Sequence, residues 1–408
     1  METDRTDPES RVRLPEPSDR GDASGRDAGS CRGTDTTSRT DFGRLGRAEP
    51  DVFAGEPPIE TEGWKRVPRL GFAGDVMLGR KVDERQRRER RAPAAVWGDL
   101  LDRLRALDGL FVNLECCLST RGEQWTRTRR PFHFRADPDW AVPALDAAGV
   151  DWANLANNHL LDYGETALLD TLDHLDAAGV ARSGAGPDRE AARAPATVEI
   201  DTAHGDGDID SLRVAFVSAT DNTPEFAAGP ETAGEDGPGT AYLDLSKEVE
   251  ARETMAEMLA RARETDPDLL VASLHWGPNM VEEPPDHFRA FGRWLAERGV
   301  DLVHGHSAHV FQGIEVRNGT PILYDCGDFV DDYAVDDELR NDRSFLFEVV
   351  VEDAGVTELR LLPTEIRDFA VHEAGAAAAA WSRSRMRELS AEFGTAFEED
   401  DGELLLEL

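Results

Sequence analysis

Lysine is nearly absent from this chain. Only Lys65, Lys81 and Lys247 occur, and arginine carries the remaining positive charge. Acids outnumber bases by 82 to 45, for a formal net charge of −37. That balance argues against binding nucleic acid or an anionic membrane through the bulk surface, because both are polyanions. An acidic, lysine-poor surface suits a cytosol at molar salt, where screening removes self-repulsion. An ordinary acidic protein from a GC-rich genome is the competing explanation. Cysteine is scarce too, with Cys31, Cys116, Cys117 and Cys326 the full set. Cys31 lies in a polar segment and two of the others are adjacent, so neither a disulfide framework nor a CxxC metal pattern is present. Reduced thiols serving as small apolar fillers are expected. No apolar run approaches a membrane span, and the charged start lacks the apolar core of a signal peptide. A cytoplasmic location is the resulting expectation.

What the chain does have is a concentration of histidine. Of ten histidines, three fall within Asp301-Leu302-Val303-His304-Gly305-His306-Ser307-Ala308-His309-Val310. Neutral imidazole is the commonest nitrogen ligand for divalent metals. Gly305 is expected to let the backbone turn tightly, so that His306 and His309 point at one centre. The surrounding sequence divides into three parts. Residues 1–66 are polar, with too few large apolar residues to offset ordering entropy, and are expected to form a disordered tail. Residues 67–370 carry alternating strand and helix patterns. Residues 371–408 form an Ala-rich helical extension with an acidic end.

Within 67–370, short apolar runs repeatedly lead into polar residues. Arg69–Ala73 precedes Asp75. Leu110–Leu114 delivers Asn113 and Glu115, and Trp152–Leu155 empties into Asn157-Asn158-His159. Leu269–Leu274 reads as a strand buried on both faces and leads to His275. Between these runs lie helical patterns over Trp97–Leu107, Ala141–Ala148, Glu165–Ala178 and Val249–Arg263, and another marked by Phe288, Phe291, Trp294 and Leu295. Three of the helices close on Gly-Val, at Gly149, Gly179 and Gly299, a C-cap idiom of alternating α/β units. Ligands in open α/β sheets bind at the carboxyl ends of the strands. Two acids, an amide and several histidines gathered there make a mixed oxygen and nitrogen site, suited to Mn, Zn or Fe. Singly, each residue has a plainer reading: Asp75 as a cap, Glu115 as a paired acid, His159 as a turn histidine, His275 as a satisfied core-edge group.

As a set, Gly74-Asp75-Val76-Met77-Leu78, Asn113-Leu114-Glu115, Ala156-Asn157-Asn158-His159, His275-Trp276-Gly277, His304–His309 and Gly327-Asp328-Phe329 resemble the CapA family of poly-γ-glutamate capsule biosynthesis. The resemblance covers about residues 67–370. It implies a metallophosphoesterase-like α-β-β-α sandwich of mixed sheets flanked by helices. It also implies a centre of one or two divalent metal ions held by Asp75, Glu115, Asn158, His275, His306 and His309. His159 would be the general acid or oxyanion stabiliser, and Arg80 and Arg135 would receive an anionic substrate. His304 would sit behind the ligands. The chain departs from the phosphoesterase pattern at Met77, where Asp-x-His has its histidine, at Glu115 in place of Asp, and in the one-residue stretch of His306-Ser307-Ala308-His309. The implied activity is a metal-dependent hydrolase acting in synthesis or export of poly-γ-glutamate or a similar anionic polymer. A non-catalytic accessory subunit docking on a capsule synthesis or export partner, and a general phosphoesterase, are the alternatives.

Salt adaptation has a direct consequence. Raising KCl from about 0.1 M to molar concentration should raise the midpoint of thermal unfolding steadily, read by circular dichroism, because screening relieves the repulsion of 37 net negative charges. A midpoint independent of salt would exclude it.

Overall fold

A computed structural model describes residues 67–203, 209–229, 237–352 and 355–408. The expected tail over 1–66 lies outside the described residues. Two sheets face one another, and helices cover the outer side of each. In the first sheet, Arg69–Val76, Gly109–Leu114, Val150–Asn154 and Ala181–Ser183 run parallel side by side. On the other flank of Arg69–Val76 the order continues antiparallel through Arg343–Glu352 and Gly355–Arg367 to Glu403–Glu407 and Glu398–Asp400. In the second sheet, Ile209–Thr220, Leu269–His275, Leu302–His306 and Thr320–Leu323 are parallel. Ala196–Ala203 and Ile314–Arg317 close its edges antiparallel.

Alternation along the strands makes this layering. Successive side chains of a strand point to opposite faces. Leu70 and Phe72 therefore pack between the sheets with Phe111, Trp152, Phe216, Val271 and Leu302. Trp152 stacks on Phe216 with centroids 4.0 Å apart, and Phe111 meets Phe216 edge-on at 4.8 Å. On the outer face of the first sheet, Trp97, Leu100, Leu145, Leu168 and Leu172 cover Val112 and Ala153. On the outer face of the second, Met255, Leu259, Phe288, Phe291 and Leu295 cover Leu270, Ala272 and Leu274. The result is the expected α-β-β-α order.

Gly149, Gly179 and Gly299 all adopt positive φ (75°, 75° and 72°) where a helix ends, as their Gly-Val pairs suggested. Other elements differ from the sequence reading. The helix expected over Trp97–Leu107 is a 3₁₀ stretch, Pro93–Leu100, joined to a short α-helix, Leu101–Arg105. Gly98, at φ 49° and ψ −133°, breaks the helical run inside the 3₁₀ stretch. Arg80–Glu89 is helical although only Val82 among its residues is apolar. After residue 371 the chain is helical over Ala376–Ala391, and then Glu403–Glu407 pairs antiparallel with Gly355–Arg367. Leu404 is buried there in the core between the sheets.

Phe216 is wholly buried between Phe111 and Trp152. Phe216→Ala should cost about 3–5 kcal/mol of unfolding free energy through lost burial and a residual cavity. Denaturant titration checks it, and a loss below about 1 kcal/mol would mean the two sheets do not pack through this aromatic cluster.

Candidate metal centre

The parallel strands of both sheets end at the same place. Asp75 closes Arg69–Val76, Glu115 follows Gly109–Leu114, and Asn157-Asn158-His159 follow Val150–Asn154. From the second sheet come His275 and His306, in register on adjacent strands. Two donor groups form: Asp75 with His275 and His306, and Asp75 with Glu115 and His309, the donor atoms of each group within 4.8 Å of one another. All five side chains are buried. Asp75 belongs to both groups, as a carboxylate between two cations would.

Close backbone contacts bring these residues together. A Cβ on Gly74 would lie 1.9 Å from the Gly327 carbonyl oxygen, so only glycine lets the strand carrying Asp75 approach that chain. Gly305 serves the same way. It is an ordinary residue of Leu302–His306, and a Cβ there would lie 2.0 Å from the Tyr324 oxygen. The expected tight turn is made instead by Ser307 (φ 117°) and His309 (φ 61°). Asp325 holds that turn: one oxygen accepts from the Ala308 N–H at 2.7 Å and the other from the Gly327 N–H at 2.8 Å.

A chain of hydrogen bonds fixes the imidazole tautomers. His304 Nε2 lies 3.0 Å from the Ala73 carbonyl, so it carries the proton and donates. Its Nδ1 then accepts from the Ser273 hydroxyl at 3.2 Å. The same oxygen lies 3.0 Å from His306 Nε2 and accepts there. His306 is left with a bare Nδ1, facing His275 Nδ1 at 2.9 Å and Asp75 Oδ1 at 3.9 Å. Burial pushes His304 down to about 4 and His275 down to about 3, so both imidazoles are neutral near pH 7. His275 Nε2 faces Asn158 Oδ1 at 2.9 Å.

The carboxylates complete the picture. Asn113 donates to Asp75 Oδ1 at 2.6 Å, and is itself held by Asn154 and Asn157. Asp75 Oδ2 and Glu115 Oε1 are buried and accept no hydrogen bond. His309 Nδ1 lies 3.2 Å from Asp75 Oδ2, but its closer partner is Asp328 Oδ1 at 2.8 Å. Burial, then the charge of Asp75, pushes Glu115 well above the usual carboxylate range. Burial opposes a charge on His309, yet the carboxylates of Asp328 and Glu115 prevail and hold it well above the ordinary histidine value. Converging acceptors without donors, beside neutral imidazoles with free lone pairs, suit a divalent cation. The donor set is thus compatible with divalent metal binding.

His159 stands beside the donors. Its Nδ1 donates to Asp162 Oδ2 at 2.5 Å, leaving Nε2 toward Glu115 Oε1 at 3.8 Å. Phe134 stacks on the ring at 3.7 Å. The two expected arginines fare differently. Arg80 pairs with Asp332 at 3.3 Å and lies over Phe132, Phe134 and Tyr333, one aromatic layer from His159. Arg135 is turned away: its guanidinium lies 3.9 Å over Tyr163 and donates to the Arg121 carbonyl. The arginine brought to the site is Arg130, which binds Asp162 at 3.2 Å and the Asn158 carbonyl. Asp162 and Tyr333, whose hydroxyl reaches Glu115 Oε2 at 3.3 Å, were not singled out by sequence, and Asn113 was read only as delivered at the end of an apolar run, with no role given to it.

The profile of the family described as bacterial capsule synthesis protein PGA_cap matches residues 69–333. The chain belongs to that family. A probable polyglutamine synthesis accessory protein of Mycobacterium tuberculosis is 34% identical over 381 residues, covering 84% of this chain and 94% of that protein. The PGA biosynthesis protein CapA of Bacillus subtilis is 26% identical, over 84% of this chain and 83% of its own length. Among solved structures, the calcineurin-like phosphoesterase YfkN of Bacillus subtilis aligns at a TM-score of 0.33 and 13% identity, over 75% of this chain and 88% of that one. Every ligand candidate, from Asp75 to His309, lies inside the family match.

Asp325→Ala would strand the Ala308 and Gly327 N–H groups, at about 1–3 kcal/mol each. Unfolding free energy should fall by about 2–6 kcal/mol in chelator-treated protein, measured by denaturant titration. A change within 0.5 kcal/mol would show that the histidine turn does not depend on it.

Proposed function

We propose that this protein is a metal-dependent hydrolase acting on poly-γ-glutamate or a related anionic polymer during capsule synthesis or export. The observation that carries the reading is Asp75, buried and shared by two donor groups at the strand ends of both sheets. Asp75, Glu115, Asn158, His275, His306 and His309 would hold one or two cations, with Mn, Zn and Fe the candidates. A divalent cation there supplies Lewis acidity to a phosphoryl or acyl oxygen and to a nucleophilic water.

The chain's own groups divide the remaining work. His159 is pulled toward the neutral form by burial, against the opposing charge of Asp162. With its Nδ1–H hydrogen-bonded to Asp162, it takes up at Nε2 the proton lost by the nucleophilic water and returns it to the leaving group. Asp162 holds the ring and stabilises the imidazolium, and Phe134 keeps water from one face of it. Arg130 anchors Asp162 and the backbone of Asn158, so it orients the dyad and is not free to bind substrate. Arg80 lies over Phe134, the ring that stacks on His159, with 26% of its side chain exposed, and is the group placed to meet a substrate carboxylate.

The name of the mycobacterial relative, an accessory protein, supports a second reading: a non-catalytic subunit of a synthesis or export assembly whose metal is structural. No helix among the described residues is long and apolar enough to cross a membrane. His159→Ala separates the two readings. A variant that keeps its metal but loses polymer cleavage supports the enzyme, and one that keeps full function in cells supports the accessory role.

Metal content follows from the same geometry. His275→Ala and His306→Ala should each lower bound cation by at least one equivalent, by elemental analysis of protein purified in high salt, and should abolish hydrolysis with it. Variants that retain both metal content and hydrolysis would remove the metal-centre reading.

A further inference from the structure

Met77 stands where the phosphoesterase pattern has a metal-binding histidine, and its sulfur is already engaged. Met77 is wholly buried, and Sδ accepts from the Gly79 N–H at 3.1 Å. The position formed by Asp75, Glu115 and His309 is therefore short of one donor, and a residue far along the chain lies ready to fill it. Asp328 opens the short strand Asp328–Val330, which runs parallel to Arg69–Val76 with Asp328 in register with Asp75. The Asp75 N–H donates to the Gly327 carbonyl at 2.9 Å, so the two aspartates sit side by side.

Asp328 is 1% exposed. Its Oδ1 lies 2.8 Å from His309 Nδ1, the same nitrogen that lies 3.2 Å from Asp75 Oδ2. Its Oδ2 is buried and accepts no hydrogen bond, a condition it shares with Asp75 Oδ2 and Glu115 Oε1. Among the described residues its only ion-pair partner is His309, so no arginine or lysine compensates it. Three buried carboxylates around one imidazole are one-sidedly anionic, and burying such charge without a counter-charge costs several kcal/mol per ion. A dication answers the deficit directly.

We propose that Asp328 is a ligand of the cation held by Asp75, Glu115 and His309, supplying the donor that Met77 does not. This rests on the metal-centre reading above. The centre then has two unlike halves. The first is oxygen-rich (Asp75, Glu115 and Asp328 with His309), and the second is nitrogen-rich (His275 and His306 with Asn158 and the shared Asp75). Hard cations such as Mn²⁺ favour carboxylate-rich sets, whereas imidazole suits Zn²⁺ and Fe²⁺. The oxygen-rich half should therefore prefer Mn²⁺, and the nitrogen-rich half Zn²⁺. The competing role for Asp328 is orientation of the His309 ring, as carboxylates do behind metal-bound imidazoles.

Calorimetric titration with Mn²⁺, and visible absorption of Co²⁺-loaded protein, test the proposal on full-length wild type, Asp328→Asn and His306→Ala. The expected result is two bound ions in wild type and one in Asp328→Asn, with the affinity of the lost ion down more than 100-fold. The Co²⁺ band of the oxygen-rich half should vanish while that of the other half persists. Loss of an outer partner costs only about 10–100-fold and leaves the bands in place. That outcome would make Asp328 a positioning residue and overturn the proposal, as would a wild type whose single ion is insensitive to Asp328→Asn. A wild type that takes up no ion, with His306→Ala indistinguishable from it, would remove the metal-centre reading and the proposal together. Should Asp328→Asn fail to fold by circular dichroism, Asp328→Glu replaces it. A retained ion with a shifted Co²⁺ band supports direct ligation, and an unchanged band opposes it.

Discussion

Asp75 is the point on which the two sheets are joined. It ends the central strand of the first sheet, and His275 and His306 reach it from two adjacent strands of the second. One oxygen is held by Asn113 and the other accepts no hydrogen bond. A buried carboxylate in that state is costly unless positive charge approaches it. The surroundings answer in two ways. His309 is driven toward its charged form by Asp328 and Glu115, and burial keeps His275 and His306 neutral with lone pairs available. The site is therefore unbalanced as protein alone, and a divalent cation would balance it. Any free energy of cation binding becomes folding free energy for the strand ends that supply the donors.

The hydrogen-bond chain from Ala73 through His304 and Ser273 to His306 extends the same dependence into the core. His304 lies against Phe72 between the sheets, at 5.4 Å between ring centroids, and belongs to neither donor group. Yet its proton position decides which nitrogen His306 presents. His304, which the resemblance places behind the ligands, is thus the internal partner that orients His306. Ser273, inside an apolar strand, transmits that constraint because a hydroxyl can donate to one ring and accept from the next.

Much of the architecture and part of the site were legible for physical reasons. Period-2 alternation and continuous apolar runs mark strands, and polar residues stand out where such a run stops. Asp75, Glu115, Asn158, His275 and His306 stand at those stops and were found. The residues missed lie elsewhere. Asp162, and a role for Asp328 although it stands in the Gly327-Asp328-Phe329 motif, were missed in a chain with 82 acids, where an aspartate carries almost no information by type. Arg130 lay in an arginine-rich loop where nothing distinguished it from Arg135, and only the fold shows that one turns to Asp162 and the other to Tyr163. The helix Arg80–Glu89 was invisible because it is anchored by polar contacts: Asp83, 8% exposed, accepts from the Trp140 indole and the Asp137 N–H. Gly305 was noticed correctly but for the wrong reason. Its missing Cβ allows a backbone to pass, a requirement that no local pattern encodes.

Surface charge and buried charge play opposite parts in this molecule. A net charge of −37 repels an anionic polymer at low ionic strength, but at about 1 M salt the Debye length falls to about 3 Å, and charges act only at contact. Any recognition of an anionic partner would then depend on individual contact groups and not on the overall field. Groups that keep their strength under these conditions are those already shielded from bulk salt. The buried donors around Asp75 are such groups, and Arg80, set among Phe132, Phe134 and Tyr333 with 26% of its side chain exposed, is partly shielded. Burial that makes the carboxylates expensive as protein alone is also what leaves their attraction for a cation unscreened. An acidic exterior and a carboxylate-rich centre are consistent in a single chain because salt weakens the first and hardly reaches the second.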